Sequence, residues 1–249
     1  MASRPTATPG AKMMYLIRRC ATTSRNELVA HWFANHMPLV IAGQHRQAEA
    51  GERHATRYEA TLFETFETED EPTGDSWDGV AQLWWERPLP QPDRAHGTEP
   101  ADSFQERVEP YVPWASTEYV VLDGTDRLPV EPLTLNDPFP TTRSGFTKLT
   151  SLVAAQDGAD AGAFFDHWLD VHAPNVMAVM ARVGGFRYVV SQSLSPETEP
   201  YAGMAELYFP DPDTLRAFGE EIEPDGMARW VDARRTLRYV SDTEMIGIP

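Results

Sequence analysis

The sequence predicts an α+β fold built from two successive βαββαβ halves, and two observations lead to this fold class. First, the phrase HWFANHMP at 31–38 recurs as HWLDVHAP at 167–174, with His, Trp, His and Pro at identical spacing. Second, each copy has a strand-like segment before it and two more after it. An internal repeat of this length defines the building block of the fold.

Each half opens with a strand and continues into a helix that carries the phrase. The strands are predicted at about 13–19 and 147–154. Ser24 and Asp160 follow at equivalent positions, and both residue types are favoured at helix N-caps because their side chains accept from free backbone amides. The proline at the end of each phrase is expected to bend or end the helix.

The remaining elements complete a ferredoxin-like order in each half, with an antiparallel sheet and two helices on one face. We predict second strands at 57–58 and 187–188, third strands at 77–85 and 201–209, short helices at 102–108 and 213–219, and last strands at 118–122 and 237–246. The third strands are apolar on both faces, which requires cover on both sides. We therefore expect the two halves to pack sheet to sheet, as a dimeric α/β-barrel within one chain.

The predicted domain boundaries follow from the repeat and from composition. The segments are a disordered tail at 1–11, a first half at 12–122, a linker at 123–145 and a second half at 146–249. The linker is rich in Pro and Asp, which break regular structure. An acidic loop is expected at 67–76.

Composition excludes several classes of partner. A net charge of −17 argues against binding of nucleic acid or an anionic membrane, since both need clustered basic residues. Cys20 is the one cysteine, so an internal disulfide or a thiolate zinc cluster is excluded. No apolar run approaches the ~20 residues of a membrane span, and no signal peptide is evident. We expect a cytoplasmic monomer (a pseudo-dimer) or homodimer that acts on a small molecule.

The histidines of the two phrases are the predicted catalytic groups. In an α-helix, positions five apart point in different directions, so neither pair is expected to hold a metal from one helix face. Trp32 and Trp168 would anchor the helices, whereas His36 and His172 would lie at the cleft and transfer protons near neutral pH. The predicted orienting partners are His31 and His167. The alternative is that these histidines only pack the fold.

Aromatic residues on the strands would suit a flat, aromatic or polyketide-like substrate. The predicted substrate-binding residues are Trp32, Trp168, Tyr58, Trp84, Tyr188 and Tyr208. Two features distinguish the second half. Asp166 and Asp170 form either a solvated acidic stripe or a carboxylate that tunes a histidine. Glu206, on a strand expected to be buried, is either an acid or base with a raised pKa or the partner of an arginine.

The motif H-W-x-x-x-H-x-P, the Arg-Tyr strand and the aromatic third strand together resemble the EthD family of the dimeric α/β-barrel superfamily. This resemblance covers most of 12–122 and 146–249 and identifies the chain as a tandem EthD protein. It implies an enzyme of secondary metabolism among relatives that include cofactor-free monooxygenases, isomerases, cyclases, decarboxylases and haem-binding enzymes.

Three functions follow as alternatives. The first is a cofactor-free enzyme of the lyase or isomerase type, which performs elimination, decarboxylation, isomerisation or cyclisation by histidine acid–base chemistry. The second is a haem protein with His36 or His172 as axial ligand. The third is a non-catalytic module that binds a metabolite.

Overall fold

The computed structural model describes residues 4–64, 76–128 and 145–248. Nearly all of the predicted acidic loop, and residues 129–144 of the predicted linker, lie outside these residues. The described chain divides into two compact units. The first unit contains 10–64, 76–114 and 243–248, and the second contains 4–9, 115–128 and 145–242.

The elements confirm the predicted α+β class. In chain order they are β1 (Ala11–Ile17), α1 (Arg25–His31), α2 (Met37–Glu49), β2 (Ala55–Leu62), β3 (Gly79–Trp85), β4 (Trp114–Leu122), β5 (Thr147–Val153), α3 (Ala161–His167), α4 (Ala173–Val183), β6 (Arg187–Ser193), β7 (Gly203–Phe209), α5 (Pro212–Glu221), β8 (Leu237–Ser241) and β9 (Thr243–Ile248). Short 3₁₀ turns lie at Thr125–Arg127 and Met227–Arg229. Ser24 and Asp160 cap α1 and α3 as predicted.

Each unit contains an antiparallel sheet. The strand order in the first unit is β1-β3-β2-β9, and in the second it is β8-β5-β7-β6-β4. The run β8-β5-β7-β6 has the ferredoxin-like order expected of a βαββαβ half.

The compact units do not coincide with the predicted halves, because the halves exchange strands. β4, from the first half, pairs with β6 in the second unit. The single last strand predicted at 237–246 is two strands, and β9 pairs with β2 in the first unit. Backbone pairing on the outer sides of β2 and β6 satisfies amides and carbonyls that an edge strand would expose.

Two local predictions for the first half are wrong. Residues 102–108 form turns rather than a helix. Val108, at the end of this segment, pairs with Arg19 in an isolated β-bridge. Residues 4–11 are not a loose tail: Thr8 donates its backbone amide to the Glu118 carbonyl at 2.8 Å, and Ala11 begins β1. The sequence before Ala11 has no apolar pattern that would have predicted this pairing.

A π-helical turn joins the two α-helical segments in each copy of the phrase. The turns span Trp32–His36 and Trp168–His172, and each is closed by an amide that bonds the carbonyl five residues back. The helix does not end at the proline, since α2 and α4 continue past it, and the bend there stays a prediction. The π turn removes the α-helical register in which the proline ring would clash with the preceding turn.

The tryptophan of each phrase packs against a glycine of the third strand. A Cβ placed on Gly203 would lie 2.9 Å from the Trp168 ring, and one on Gly79 would lie 2.8 Å from Trp32. Trp32 and Trp168 are both essentially buried. This contact fixes the face that the helices cover. Among the described residues, no helix is long and apolar enough to cross a membrane.

Replacement of Gly203 by Ala should therefore destabilise the protein. The new methyl group meets the Trp168 ring and the Ser191 carbonyl, and overpacking of this kind costs about 1–3 kcal/mol of unfolding free energy. Gly219→Ala is the matched control, because a Cβ at this position in α5 meets nothing within 4 Å. Urea denaturation of both variants measures the difference; equal stability would contradict the role of the Trp–Gly contact.

Candidate active site

The first unit places a histidine–aspartate pair at the end of its π turn. His36 Nδ1 lies 2.6 Å from Asp102 Oδ2, and the two side chains are 15% and 13% exposed. The other carboxylate oxygen accepts from the backbone amides of Phe104 (3.0 Å) and Gln105 (2.9 Å). The Phe104 ring lies 4.4 Å from the His36 ring, measured between centroids. The carboxylate is thus held by its own turn while it holds the imidazole.

The second unit repeats this arrangement with different supporting residues. His172 Nδ1 lies 2.7 Å from Asp225 Oδ2, which also accepts from the Asn175 side-chain amide at 2.9 Å. The backbone amide of Met227 bonds the second oxygen at 3.0 Å. His172 is 24% exposed, so it remains accessible to a ligand.

Both aspartates are stabilised as carboxylates. Burial acts to raise the pKa of Asp102, but hydrogen bonds from His36 and the turn amides outweigh it and lower the pKa. For Asp225, burial is likewise outweighed by the hydrogen bonds of Asn175 and His172, and its pKa is lowered. A charged acceptor strengthens the bond that orients each imidazole.

The pairs determine the histidine tautomer. A carboxylate can only accept a hydrogen bond, so the bonded Nδ1 of His36 or His172 carries the proton. In the neutral imidazole the lone pair is then on Nε2. Each pair therefore presents one defined basic nitrogen that is not used by the aspartate.

The histidines that open the phrases have other partners. His31 Nδ1 lies 2.8 Å from the Ser103 hydroxyl and 3.1 Å from the Asn35 side-chain amide. His31 therefore bonds to the loop that carries Asp102, whereas the group that orients His36 is Asp102 itself. From α-helical geometry we predicted that the two histidines point in different directions. This prediction is wrong, because the π turn directs both side chains toward this loop.

His167 has a different environment in the second unit. Its ring lies 6.1 Å from the Trp230 ring, and its Nε2 is buried without a hydrogen-bond partner among the described residues. Burial, and then the charge of Arg229, lower its pKa. His167 thus lies on the same side of the helix as His172 but does not bond to Asp225.

Of the predicted aromatic residues, four lie beside the histidine sites, as one Trp–Tyr pair in each unit. Trp168 Nε1 donates to the Tyr188 hydroxyl at 3.2 Å, and Trp32 and Tyr58 occupy the equivalent positions. Burial raises the pKa of Tyr58 and Tyr188, against the smaller effect of the tryptophans. Both tyrosines therefore stay protonated at neutral pH.

Trp84 and Tyr208 are not brought together with these histidines. Successive residues of a strand alternate between faces, and Gly79 and Gly203 define the face beneath the helices. Trp84 and Tyr208 lie on the opposite face. Lys12 Nζ is 5.0 Å from the Trp84 ring centroid and Lys148 Nζ is 4.9 Å from that of Tyr208.

Glu206 also lies on this opposite face. Its Oε1 is 2.7 Å from Lys148 Nζ, and both side chains are almost completely buried. The structure thus favours the predicted ion pair, although the partner is a lysine rather than an arginine.

Asp166 and Asp170 face solvent. Both carboxylates pair with Arg4, at 2.8 and 3.0 Å, and are 65% and 48% exposed. The predicted solvated stripe describes them well. The carboxylate that contacts His172 is Asp225 instead.

The two aspartates were missed by the sequence prediction, although the repeat contains a signal for them. The sequence Glu99-Pro100-Ala101-Asp102 is matched by Glu223-Pro224-Asp225, at nearly the same offset as the third strands. The second copy lacks a residue equivalent to Ala101, so its aspartate is offset by one position and the two aspartates do not align without a gap. Within the described parts of the chain, no group of three or more His, Cys, Asp or Glu side chains is placed to hold a metal ion.

The fold and the two pairs define a chain of repeated α+β units, each with a carboxylate-oriented histidine beside its sheet. Residues 156–234 match the EthD domain family, which confirms the EthD resemblance for the second copy. The matched segment contains both His172 and Asp225. No curated protein sequence shows significant similarity to the chain.

Solved structures similar to this chain share little sequence with it. An anthrone oxidase-like protein matches with 12% identity and a TM-score of 0.55, over 96% of this chain and 94% of that one. A haem-binding protein from Thermus thermophilus matches with 12% identity, a TM-score of 0.41 and coverage of 96% and 92%. Chlorite dismutase from Candidatus Nitrospira defluvii matches with 8% identity, a TM-score of 0.47 and coverage of 94% and 92%. The likeness to the first concerns the fold alone.

The two aspartates should make stability depend on pH in the acid range. A carboxylate whose folded pKa is lowered stabilises the folded state above its unfolded pKa of about 3.9, and this contribution is lost as pH falls through the folded value. The double variant Asp102→Asn, Asp225→Asn should therefore be less stable than the wild type at pH 6 by about 1–3 kcal/mol. The difference should shrink below about pH 4.

Urea denaturation at pH 6 and pH 3 measures this difference. Asp166→Asn is the control, since the same substitution at an exposed aspartate leaves both pairs intact. A destabilisation that is equal at the two pH values would show that the carboxylates are not stabilised by these hydrogen bonds.

Proposed function

We propose that this protein is a small-molecule enzyme in which His36 or His172, each oriented by an aspartate, acts as the general base. The observation that carries the proposal is the repeated pair, with Nδ1–carboxylate distances of 2.6 and 2.7 Å. A histidine held in one tautomer by a carboxylate presents a nitrogen that is ready to accept a proton, and the carboxylate stabilises the imidazolium that forms.

The proton transfer needs only the histidine, its aspartate and the substrate. Nε2 of the histidine removes a proton from an acidic carbon of the substrate, and the electron pair of that bond delocalises into the substrate. Asp102 or Asp225 keeps its charge and bonds the new imidazolium. Isomerisation, elimination and cyclisation can each begin with this removal of a proton from carbon. In a decarboxylation, the histidine can instead act at the end and return a proton to the carbon that has lost carbon dioxide.

The substrate class follows from the rings beside His36. Phe104 lies 4.4 Å from His36 and 5.6 Å from Trp32. The Phe104 and Trp32 rings are buried, but the Tyr111 ring, 6.4 Å from Phe104, is partly exposed. Flat apolar molecules pack against partly exposed rings. We therefore propose an aromatic substrate whose acidic carbon is conjugated to a carbonyl group. The likeness to an anthrone oxidase-like protein suggests anthrone as a probe, because its methylene protons are acidic in this way.

The test is hydrogen–deuterium exchange at the anthrone methylene, followed by NMR in deuterated buffer without oxygen. General-base catalysis of this kind contributes about 10²–10⁴-fold over the uncatalysed rate. The double variant His36→Asn, His172→Asn should reduce exchange to near the background rate. His45→Asn, at an exposed position of α2, is the matched control.

Circular dichroism of the double variant shows whether the fold is retained. Exchange by the wild type at the background rate, with anthrone and with a bicyclic aryl ketone such as tetralone, would overturn the proposal. Binding of either probe without exchange would favour a metabolite-binding module instead.

Haem binding is a second candidate, and the same pairs support it. Histidines that ligate metals generally donate their other ring nitrogen to a carboxylate or carbonyl group, as His36 and His172 do. Nε2 of either residue would bind the haem iron, and the haem would supply redox chemistry. Titration with haemin distinguishes the candidates: a shifted Soret band that is lost in the double variant favours haem, whereas unchanged haemin absorbance argues against it.

A further inference from the structure

The first unit contains an additional histidine, His96, beside its candidate site. His96 lies in the irregular segment between β3 and β4. Its backbone amide donates to the Tyr111 carbonyl at 2.8 Å, and the Tyr111 amide donates to the His96 carbonyl at 3.0 Å. This isolated bridge holds the two rings next to each other.

A series of ring contacts connects His96 with His36. The His96 ring lies 5.5 Å from Tyr111 and 5.9 Å from Tyr15. Tyr111 lies 6.4 Å from Phe104, which lies 4.4 Å from His36. His36 is largely buried and His96 is exposed. The rings therefore form an aromatic wall from the oriented base to solvent, with an imidazole at each end. Phe104 is buried within it, whereas Tyr111 and Tyr15 are partly exposed.

The second unit lacks this wall and the additional imidazole. Ser151 occupies the position equivalent to Tyr15, opposite Ala205 just as Tyr15 is opposite Ala81. The chain between β7 and β8 contains no histidine. Trp230 from that segment instead packs on Phe164, with ring centroids 6.3 Å apart. The two halves therefore share the base but differ in what surrounds it.

We propose that the first unit is the working active site and that His96 is a second catalytic residue in it, which binds the substrate carbonyl oxygen. This inference rests on the proposed function. Its substrate is a flat aryl ketone that lies along Tyr15 and Tyr111, the two partly exposed rings of the wall. The neutral imidazole of His96 donates a hydrogen bond to the oxygen on which negative charge develops.

The step balances without a further reactant. His36 Nε2 forms a bond to the proton as the carbon–hydrogen bond breaks, and the electron pair moves through the ring system to the carbonyl oxygen. The products are an enolate and the His36 imidazolium. The enolate oxygen accepts the hydrogen bond from His96, and return of a proton or deuteron from His36 to carbon restores the ketone.

The surroundings of His96 keep its imidazole neutral. Partial desolvation of its ring beside the neighbouring tyrosines, and then the charge of His36, lower its pKa. The phenols that face it are uncharged, because burial raises the pKa of Tyr111 to about 12 and that of Tyr15 further. Asp102 is the nearby carboxylate, and it bonds His36. A neutral imidazole can polarise a carbonyl without repelling the imidazolium that forms on the base.

The experiment compares two substitutions of His96 in the anthrone exchange assay. His96→Phe keeps a ring against Tyr15 and Tyr111 but removes the donor, and should lower the maximal exchange rate roughly 10²-fold, as loss of one oxyanion donor does. Its KM should change little, because the wall remains. His96→Gln restores a neutral donor without the ring and should retain more of the rate. His45→Phe is the matched control and should equal the wild type.

The outcomes separate this inference from the proposed function. Full activity of His96→Phe, with activity lost in His36→Asn, overturns the role of His96 and leaves the proposed function intact. Loss of exchange in His172→Asn but not in His36→Asn overturns the assignment to the first unit. Exchange at the background rate by the wild type overturns both. If His96→Phe is misfolded by circular dichroism, His96→Leu, which also removes the donor, replaces it: a reduced maximal rate supports the role of His96, and a wild-type maximal rate overturns it.

Discussion

The π-helical turn in each copy of the repeated phrase is the constraint on which both candidate sites depend. In an α-helix, residues five apart would diverge, and Trp and the second His would share a face. The i→i+5 turn of Trp32–His36 instead lets Trp32 pack into the sheet at Gly79 while His31 and His36 both reach the loop at Asp102 and Ser103. π turns are rare and are frequently found at functional sites. Here the turn combines an anchoring contact and an aspartate-oriented histidine within five residues.

The two faces of each sheet have different chemistry. The face beneath the helices carries the buried tyrosines Tyr58 and Tyr188, next to the tryptophans and the histidine–aspartate pairs. The opposite face carries Lys12 and Lys148, the only lysines in the chain, at equivalent positions above Trp84 and Tyr208. A buried ammonium needs a carboxylate or an aromatic ring nearby, because transfer of an unpaired charge from water is costly. This explains why β1 and β5, which are buried along nearly their whole length, tolerate these cations.

Prediction from sequence succeeded where a pattern was local and repeated. The strands, the N-caps at Ser24 and Asp160, and the α+β class follow from apolar alternation, capping chemistry and the internal repeat. It failed where the outcome depended on the rest of the chain. Asp102 lies in a segment with a helical composition, yet that segment forms turns because Val108 pairs with Arg19. β9 continues from β8 in sequence but pairs with β2, which lies in the other half of the chain.

The sequence by itself determined the building block, its duplication and the histidines that the repeat preserves. These features depend on short-range periodicity and on residue identity, which any single chain displays. Only the tertiary structure decided that Asp102 and Asp225 orient those histidines, that Trp84, Tyr208 and Glu206 lie on the other face, and that the halves exchange strands. Such contacts join residues far apart in sequence, and they form only where backbone hydrogen bonding and burial favour one pairing over its competitors.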